Sequence, residues 1–417
     1  MRSTSPTSVC ILLTSNQLAS GGEESLADLA VSLTQLGHQV SVGYFKKSLS
    51  AQVQSRLQTR LRVGTTRIKI FRVSREVDSW WQPSVRWHDI AEGRFSVLSS
   101  RYVFSPFRLL DQKRFSRFDL IIASQILTPQ GVFQLGRLSK AKLILNHAQE
   151  PENLLSHFES RAEREKKTGT YLDYLDSFAA VLFQTGSQLE AFEALHPTCR
   201  TQTLLLKPGV DERSAEEQLL RFRRGKLKSP FDPDKINVVQ FGKISKVKGQ
   251  GLSIDAVRLL AHRFPSLRLH LVGRLAEDEE YGQNIGRMIQ DLGLERVVKR
   301  WGHRPDHWRF LLHADLLLIS STAEGAPRIL REAMFARIPA VVTPLTGILD
   351  MVSPDSAFIS QEVDAASIGY QIESAIGDPI MAKVRADKAH EHFRNQFSRD
   401  QYLIRFQEVV DELSLSK

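Results

Sequence analysis

Sulfhydryl chemistry is almost missing from this chain: two cysteines, Cys10 and Cys199, stand 189 positions apart in 417 residues. No C-x-x-C, zinc-ribbon or disulfide-scaffold spacing can be built from them. Both are expected to be reduced and structural, which fits a cytoplasmic compartment. Long apolar runs are missing too. Nothing approaches the ~18–20 residues that span a bilayer. The N-terminal VCILL (9–13) is shorter than the ~7–15 residues of a signal-peptide core and is flanked by polar residues, so it is expected to be a first buried strand. The fingerprint G-x-G-x-x-G is absent as well, which counts against a dinucleotide-binding dehydrogenase.

With 42% hydrophobic and 25% charged residues the chain is globular, and 417 residues suffice for two domains with a substantial core in each. The net charge of +9 is unevenly spread: residues 56–117 hold 14 Lys and Arg against 5 Asp and Glu, an excess equal to that of the whole chain. Trp80, Trp81, Trp87, Phe95, Tyr102, Phe104 and Phe107 lie in the same stretch. Two readings stand side by side. One is a solvated basic excursion between strands; the other is a surface for an anionic partner, either an anionic membrane face or a phosphorylated acceptor. No nucleic-acid-binding motif accompanies the charge, so nucleic acid is not an expected partner.

The apolar periodicity is βα throughout. VCILL precedes GGEESLADLAVSLTQLG (21–37), where Leu26, Leu29, Ala30, Leu33 and Leu36 keep helical spacing and Gly37 ends the helix. Short, nearly all-apolar strand candidates follow at 66–73, 118–124, 141–146, 178–184 and 203–207, a pattern that implies a parallel sheet covered on both faces. A polar stretch with three prolines (207–235) reads as a connector, after which the alternation restarts with INVVQFGK (236–243). The expected organisation is an α/β chain of two Rossmann-like domains, 1–206 and 236–397, with ligand in a cleft at the strand carboxyl ends. A last helix is expected at 398–413: Ser398 and Gln401 have capping-box spacing, and Tyr402, Phe406, Val409, Val410 and Leu413 form one stripe that must dock, back towards the N-terminal domain.

Two strand-to-helix turns in the second half carry chemistry. In ADLLLISSTAEGAPRILREAM (314–334), a buried strand ends near Ser320 and Pro327 is placed as the first helical residue. Gly325 and Ala326 then form the turn, and the amides of Arg328 and Ile329 lack intrahelical partners at the positive end of the helix dipole, which suits an anion. Glu324 and Glu332 flank that nest, where each carboxylate can accept from hydroxyls on either side of a phosphate, the layout of a nucleotide-sugar. The turn FGKISKVKGQG (241–251) offers Lys243, Lys246 and Lys248 near another helix start, where cations oppose the dipole unless a diphosphate neutralises them. Their effect grows as charge builds on a departing nucleoside diphosphate. In the first half, Gly21 and Gly22 permit close approach of backbone to a ligand, and His147 ends a strand at the sheet's carboxyl edge.

Together these stretches resemble the retaining family-4 glycosyltransferases of GT-B fold, the glycosyl transferases group 1. GGEESLADLAVSLTQLGHQVSV is similar to that family's opening glycine loop and helix, KPGVD (207–211) to its domain junction, FGKISKVKG to its diphosphate-binding turn, and AEGAPRILREAM to its Glu-x7-Glu signature. The resemblance implies Lys248 on the donor diphosphate, Glu332 on the ribose hydroxyls and Glu324 on the transferred sugar. It further implies amides near Gly325, Ala326 and Arg328 on sugar and phosphates, Lys243 in the diphosphate site, His147 near the transferred sugar and Gly22 near the phosphates. The implied reaction moves a hexose from a nucleoside-diphosphate sugar to a glycan, lipid or small-molecule acceptor, with retention, no cofactor and no essential metal. Peripheral contact with the inner membrane face through 56–117 is part of this expectation. Three positions depart from the family pattern: Lys243 replaces an arginine, Thr346-Gly347-Ile348-Leu349-Asp350 replaces Gly-Gly-Ile-Pro-Glu, and Arg337 replaces a glycine after the helix of the second glutamate. A metal-dependent GT-A enzyme needs Asp-x-Asp at a strand end, whereas Asp232-Pro233-Asp234 falls in the connector. A GT-B protein that binds sugar nucleotides as a scaffold, without turnover, stays open beside the enzyme.

Overall fold

The computed structural model describes residues 7–13, 29–31, 33–35, 37–44, 62–63, 66–72, 115–123, 142–147, 175–176, 178–210, 212–274 and 280–415. Gly22 and most of the basic aromatic stretch 56–117, including its seven aromatic residues from Trp80 to Phe107, lie outside them. The chain divides into two compact units. The first holds Met1–Gln184, Leu189–Leu206 and Leu403–Lys417; the second holds Thr185–Gln188 and Lys207–Tyr402. Among the described residues no helix is long and apolar enough to cross a membrane.

The first unit is built on β1 (Ser8–Leu13), β2 (Gln39–Tyr44), β5 (Lys69–Arg72), β6 (Leu120–Ala123), β7 (Lys142–His147), β8 (Ala180–Phe183) and β9 (Gln202–Leu205), in the order β5-β2-β1-β6-β7-β8-β9, every pair parallel. Two-residue strands β3 (Arg62–Val63) and β4 (Thr66–Arg67) form a separate antiparallel pair. Residues of β1 and β8 are buried to either side, as expected for strands covered on both faces. The helix before β2 stops at Gly37, whose φ of 90° is left-handed; the Gly37 amide donates to the Thr34 carbonyl and the His38 amide to the Leu33 carbonyl, closing a Schellman turn. The C-terminal helix Arg399–Leu415 buries Tyr402, Phe406, Val409, Val410 and Leu413, the stripe read from the sequence. The Gln401 amide donates to Ser398 Oγ at 3.4 Å. Within the first unit, Lys142 Nζ donates to the Leu413 carbonyl and Gln202 Nε2 to Glu412 at 2.7 Å.

The second unit has six parallel strands: β10 (Ile236–Phe241), β11 (Leu267–Val272), β12 (Val298–Gly302), β13 (Leu316–Ile319), β14 (Ala340–Val342) and β15 (Phe358–Ile359), ordered β12-β11-β10-β13-β14-β15. In that unit's own count this is the 3-2-1-4-5-6 order of a Rossmann sheet. Alternation along each strand feeds two cores. Leu316, Leu318 and Val238 face the helices Gln250–Leu260, Glu280–Asp291 and Ala365–Gly377, while Leu317 and Ile319 face His307–Leu311, Arg328–Ala336 and Pro379–Gln396. The charged stretch 207–235 carries the helix Glu212–Arg223, because Ala215, Leu219 and Phe222 recur at helical spacing and pack on the second of these cores. The helix Arg328–Ala336 ends on Arg337 at φ 59°, the single non-glycine with positive φ among the described residues. Its left-handed backbone lets the Ile338 amide reach the Ala333 carbonyl at 3.0 Å, and its guanidinium pairs with Asp387 at 2.5 Å.

Candidate functional site

From β10 the chain winds outward through β11 and β12; from β13 it winds the other way through β14 and β15. The two strands are neighbours, so their carboxyl ends flank a topological switch point, the place where open α/β sheets bind ligands. Both motif-bearing turns of the second half leave from there. They are locked together: a Cβ on Gly249, φ 64°, would stand 1.9 Å from the Ser320 carbonyl oxygen, so only glycine lets the two backbones meet. Gln240 Nε2 donates to the Lys248 carbonyl at 2.6 Å and to Ser320 Oγ at 2.9 Å, Ser253 Oγ to Ser320 Oγ at 2.7 Å, and the Thr322 amide to the Val247 carbonyl at 2.8 Å.

On this scaffold Lys248 Nζ pairs with Glu324 Oε1, which also accepts from Ser321 Oγ at 2.9 Å. Lys243 is exposed on the same turn, and its carbonyl accepts from Gln250 Nε2 at 3.0 Å. Gly325 and Ala326 are half-buried, with Gly347 pressed on the turn: a Cβ there would come within 2.2 Å of the Gly325 oxygen. Pro327 is the N-cap, not the first helical residue anticipated. Its ψ of 120° is still extended, although its carbonyl already accepts from the Leu330 amide at 3.2 Å. The helix therefore starts at Arg328. Arg331, buried at 1% exposure, reaches back with Nη1 to the Ala326 carbonyl at 2.9 Å and holds the turn from inside.

Glu332 is also buried, at 2% exposure, with Arg328 Nε 2.9 Å from Oε1 and His307 Nε2 3.0 Å from Oε2. Burial by itself raises a carboxyl pKa, but the His307 and Arg328 charges and hydrogen bonds outweigh it and bring Glu332 down to about 2. It is an ionised acceptor at any ordinary pH. Asp350, in the segment that departs from the family pattern, accepts from the Ser187 amide at 2.7 Å.

Lys248, Glu324, Gly325, Ala326, Arg328 and Glu332 thus come together in one unit, with Lys243 on the same turn. His147 is the final residue of β7 in the first unit, opposite Phe183 in register; its side chain, like Gly22, lies outside the described residues. Sequence reading missed His307 and Arg331. No periodicity singles out a histidine that meets its carboxylate 25 residues later, and Arg331 reads as a surface residue of an amphipathic helix. Among the described residues no group of three or more His, Cys, Asp or Glu is placed to hold a metal ion.

The sequence model of the family described as glycosyl transferases group 1 matches residues 223–392. This part of the chain is similar to a group 1 glycosyltransferase domain. Every member of the cluster lies inside it. The chain is similar to the lipopolysaccharide core biosynthesis glycosyltransferase LpsE of Rhizobium meliloti, 24% identical over 69% of this chain and 81% of the relative. It is also similar to the putative colanic acid biosynthesis glycosyltransferase WcaL of Escherichia coli, 25% identical over 48% of this chain, and spans about half (50%) of that relative's length. Among solved structures, Anabaena HepE in complex with UDP superposes with a TM-score of 0.71 at 19% identity, over 97% of this chain and 100% of that one. At that identity the likeness concerns the fold, an α/β architecture of GT-B type with parallel sheets.

Proposed function

We propose that the protein is a retaining, metal-independent glycosyltransferase that moves a hexose from a nucleoside-diphosphate sugar to an acceptor in polysaccharide, glycolipid or cell-envelope glycan synthesis. One observation carries the reading: Lys248, Glu324, Arg328 and Glu332 converge on the switch point of the group 1 domain. Such a cluster suits a ligand that is anionic in the middle and hydroxylated at both ends. Lys248 and Lys243 neutralise a diphosphate, and the helix start at Arg328 adds a positive dipole end. Glu332, permanently ionised, accepts from ribose hydroxyls; Glu324 accepts from the transferred sugar. As the sugar–phosphate bond breaks, negative charge gathers on the leaving diphosphate, so the lysines act most strongly in the transition state. His147 and Gly22 are assigned to the sugar and phosphate sides by the family resemblance. LpsE, WcaL and the HepE complexes with UDP and UDP-glucose support the donor and pathway class. The basic aromatic stretch 56–117 is proposed to hold the protein at an anionic membrane face, near a lipid-linked acceptor.

The test is a panel of UDP- and GDP-sugars, with and without lipid-linked and oligosaccharide acceptors, followed by nucleotide release. Acceptor-dependent release that survives EDTA, with the anomeric configuration of the product unchanged by NMR, is expected. Tight donor binding without turnover on any acceptor transfers the reading to a sugar-nucleotide scaffold, and no donor binding at all refutes both.

A further inference from the structure

We infer that His307 is a positioning residue for nucleotide recognition, acting through Glu332; the inference rests on the proposed role of Glu332 at the ribose. A carboxylate offers about four lone-pair directions. Here each oxygen of Glu332 has one donor, Arg328 Nε on Oε1 and His307 Nε2 on Oε2. Because the carboxylate is ionised, the imidazole must carry its proton on Nε2. Two donors on opposite oxygens fix the plane of the group and leave one accepting direction on each oxygen, the arrangement that meets two neighbouring hydroxyls.

The two donors do different work. Arg328 sits four residues back on the same helix and moves with Glu332. His307 comes from a separate element, the helix that follows β12, and its position is set by core packing: Trp308 and Leu311 are buried, and the Trp308 ring lies edge-on to Phe335 at 6.3 Å. The imidazole therefore ties the carboxylate to the frame of the sheet, whereas the arginine only steadies it along its own helix. His307 is also 30% exposed, so truncating it leaves no sealed cavity in the core.

The readout is coupling between this side chain and the ligand's hydroxyls. UDP, GDP and ADP, each beside its 2′,3′-dideoxy form, are titrated calorimetrically into the full chain. For the tightest parent nucleotide, His307→Ala is expected to weaken binding roughly tenfold, the order of one hydrogen bond to a charged group. Its dideoxy form should bind wild type and variant within twofold of each other. His307→Gln, which can still donate from a similar reach, should regain most of the loss, and His307→Ala should cost nothing more in a Glu332→Gln background. An equal loss on parent and dideoxy nucleotides, or no loss on either, overturns the inference alone. A wild type that binds none of the three parents, or does not prefer them to their dideoxy forms, overturns the ribose reading and the inference with it.

Discussion

Gly249 and Gly293 share a φ of 64°, yet only the first meets another backbone, which makes them a matched pair. A methyl at Gly293 enters open space, whereas at Gly249 it stands 1.9 Å from the Ser320 oxygen. Gly293→Ala thus bears only the left-handed penalty, about 1–2 kcal/mol, partly offset by about 0.4–1 kcal/mol from a less flexible unfolded chain. Gly249→Ala adds overpacking of about 1–3 kcal/mol, since the two turns must part by roughly 1 Å to admit the methyl. The expected net loss is about 3 kcal/mol for Gly249→Ala and under about 1 kcal/mol for Gly293→Ala. At roughly 2–4 °C per kcal/mol for a unit of this size, the two variants should melt some 4–8 °C apart. The same parting moves Lys248 relative to Glu324, so sugar transfer should fall on the order of 100-fold in Gly249→Ala and little in Gly293→Ala. Scanning calorimetry and a nucleotide-release assay measure both. Variants that melt within about 2 °C of each other would refute the apposition of the two turns, and with it the geometry of the site.

Lys248→Ala should weaken nucleoside-diphosphate binding by about 1.5–3 kcal/mol, the scale of a charge-assisted hydrogen bond; unchanged calorimetric affinity removes this lysine from the site. Glu332 lies at about 2 in the fold against 4.5 unperturbed, so its contribution is complete above pH 4.5 and is lost as pH falls towards 2. That contribution is about 3 kcal/mol, of which about 2 kcal/mol is gone by pH 3. Urea unfolding at pH 6 and pH 3 should therefore show a steeper acid loss in wild type than in Glu332→Gln, and parallel losses would contradict the ion cluster. Finally, the full chain should partition to anionic vesicles more than to neutral ones, and less so in high salt; equal partitioning discards the membrane role of 56–117.

What could be read in advance followed from local rules. The four apolar residues of β13, the proline beyond them and the two glutamates eight apart located the turn at 323–327 from sequence alone, because strand burial and helix starts are near-neighbour effects. The stripe of the last helix was legible for the same reason. The helix Glu212–Arg223 was obscured by its own charge, with three apolar residues among nine polar ones or alanines. Pairings across distance were out of reach: Lys248 with Glu324 spans 76 positions, and His307 with Glu332 spans 25. Such contacts are products of sheet order, and nothing in either short stretch encodes its partner. Arg328 with Glu332 obeys the i, i+4 rule, so of these ion pairs it is the one that local spacing encodes.

The stitching of the two turns by Gln240, Ser253 and Ser320 bears on how binding is powered. Segments ordered only by an arriving ligand lower its affinity by the freedom they surrender, whereas these give up theirs when the sheet assembles. On the proposed reading, the pyrophosphate cradle is rigid before any donor arrives, and little of the donor's contact energy is diverted into shaping it. On the same reading, discrimination among donors falls to the segment 346–350, whose Gly347 is pressed on the turn at Gly325.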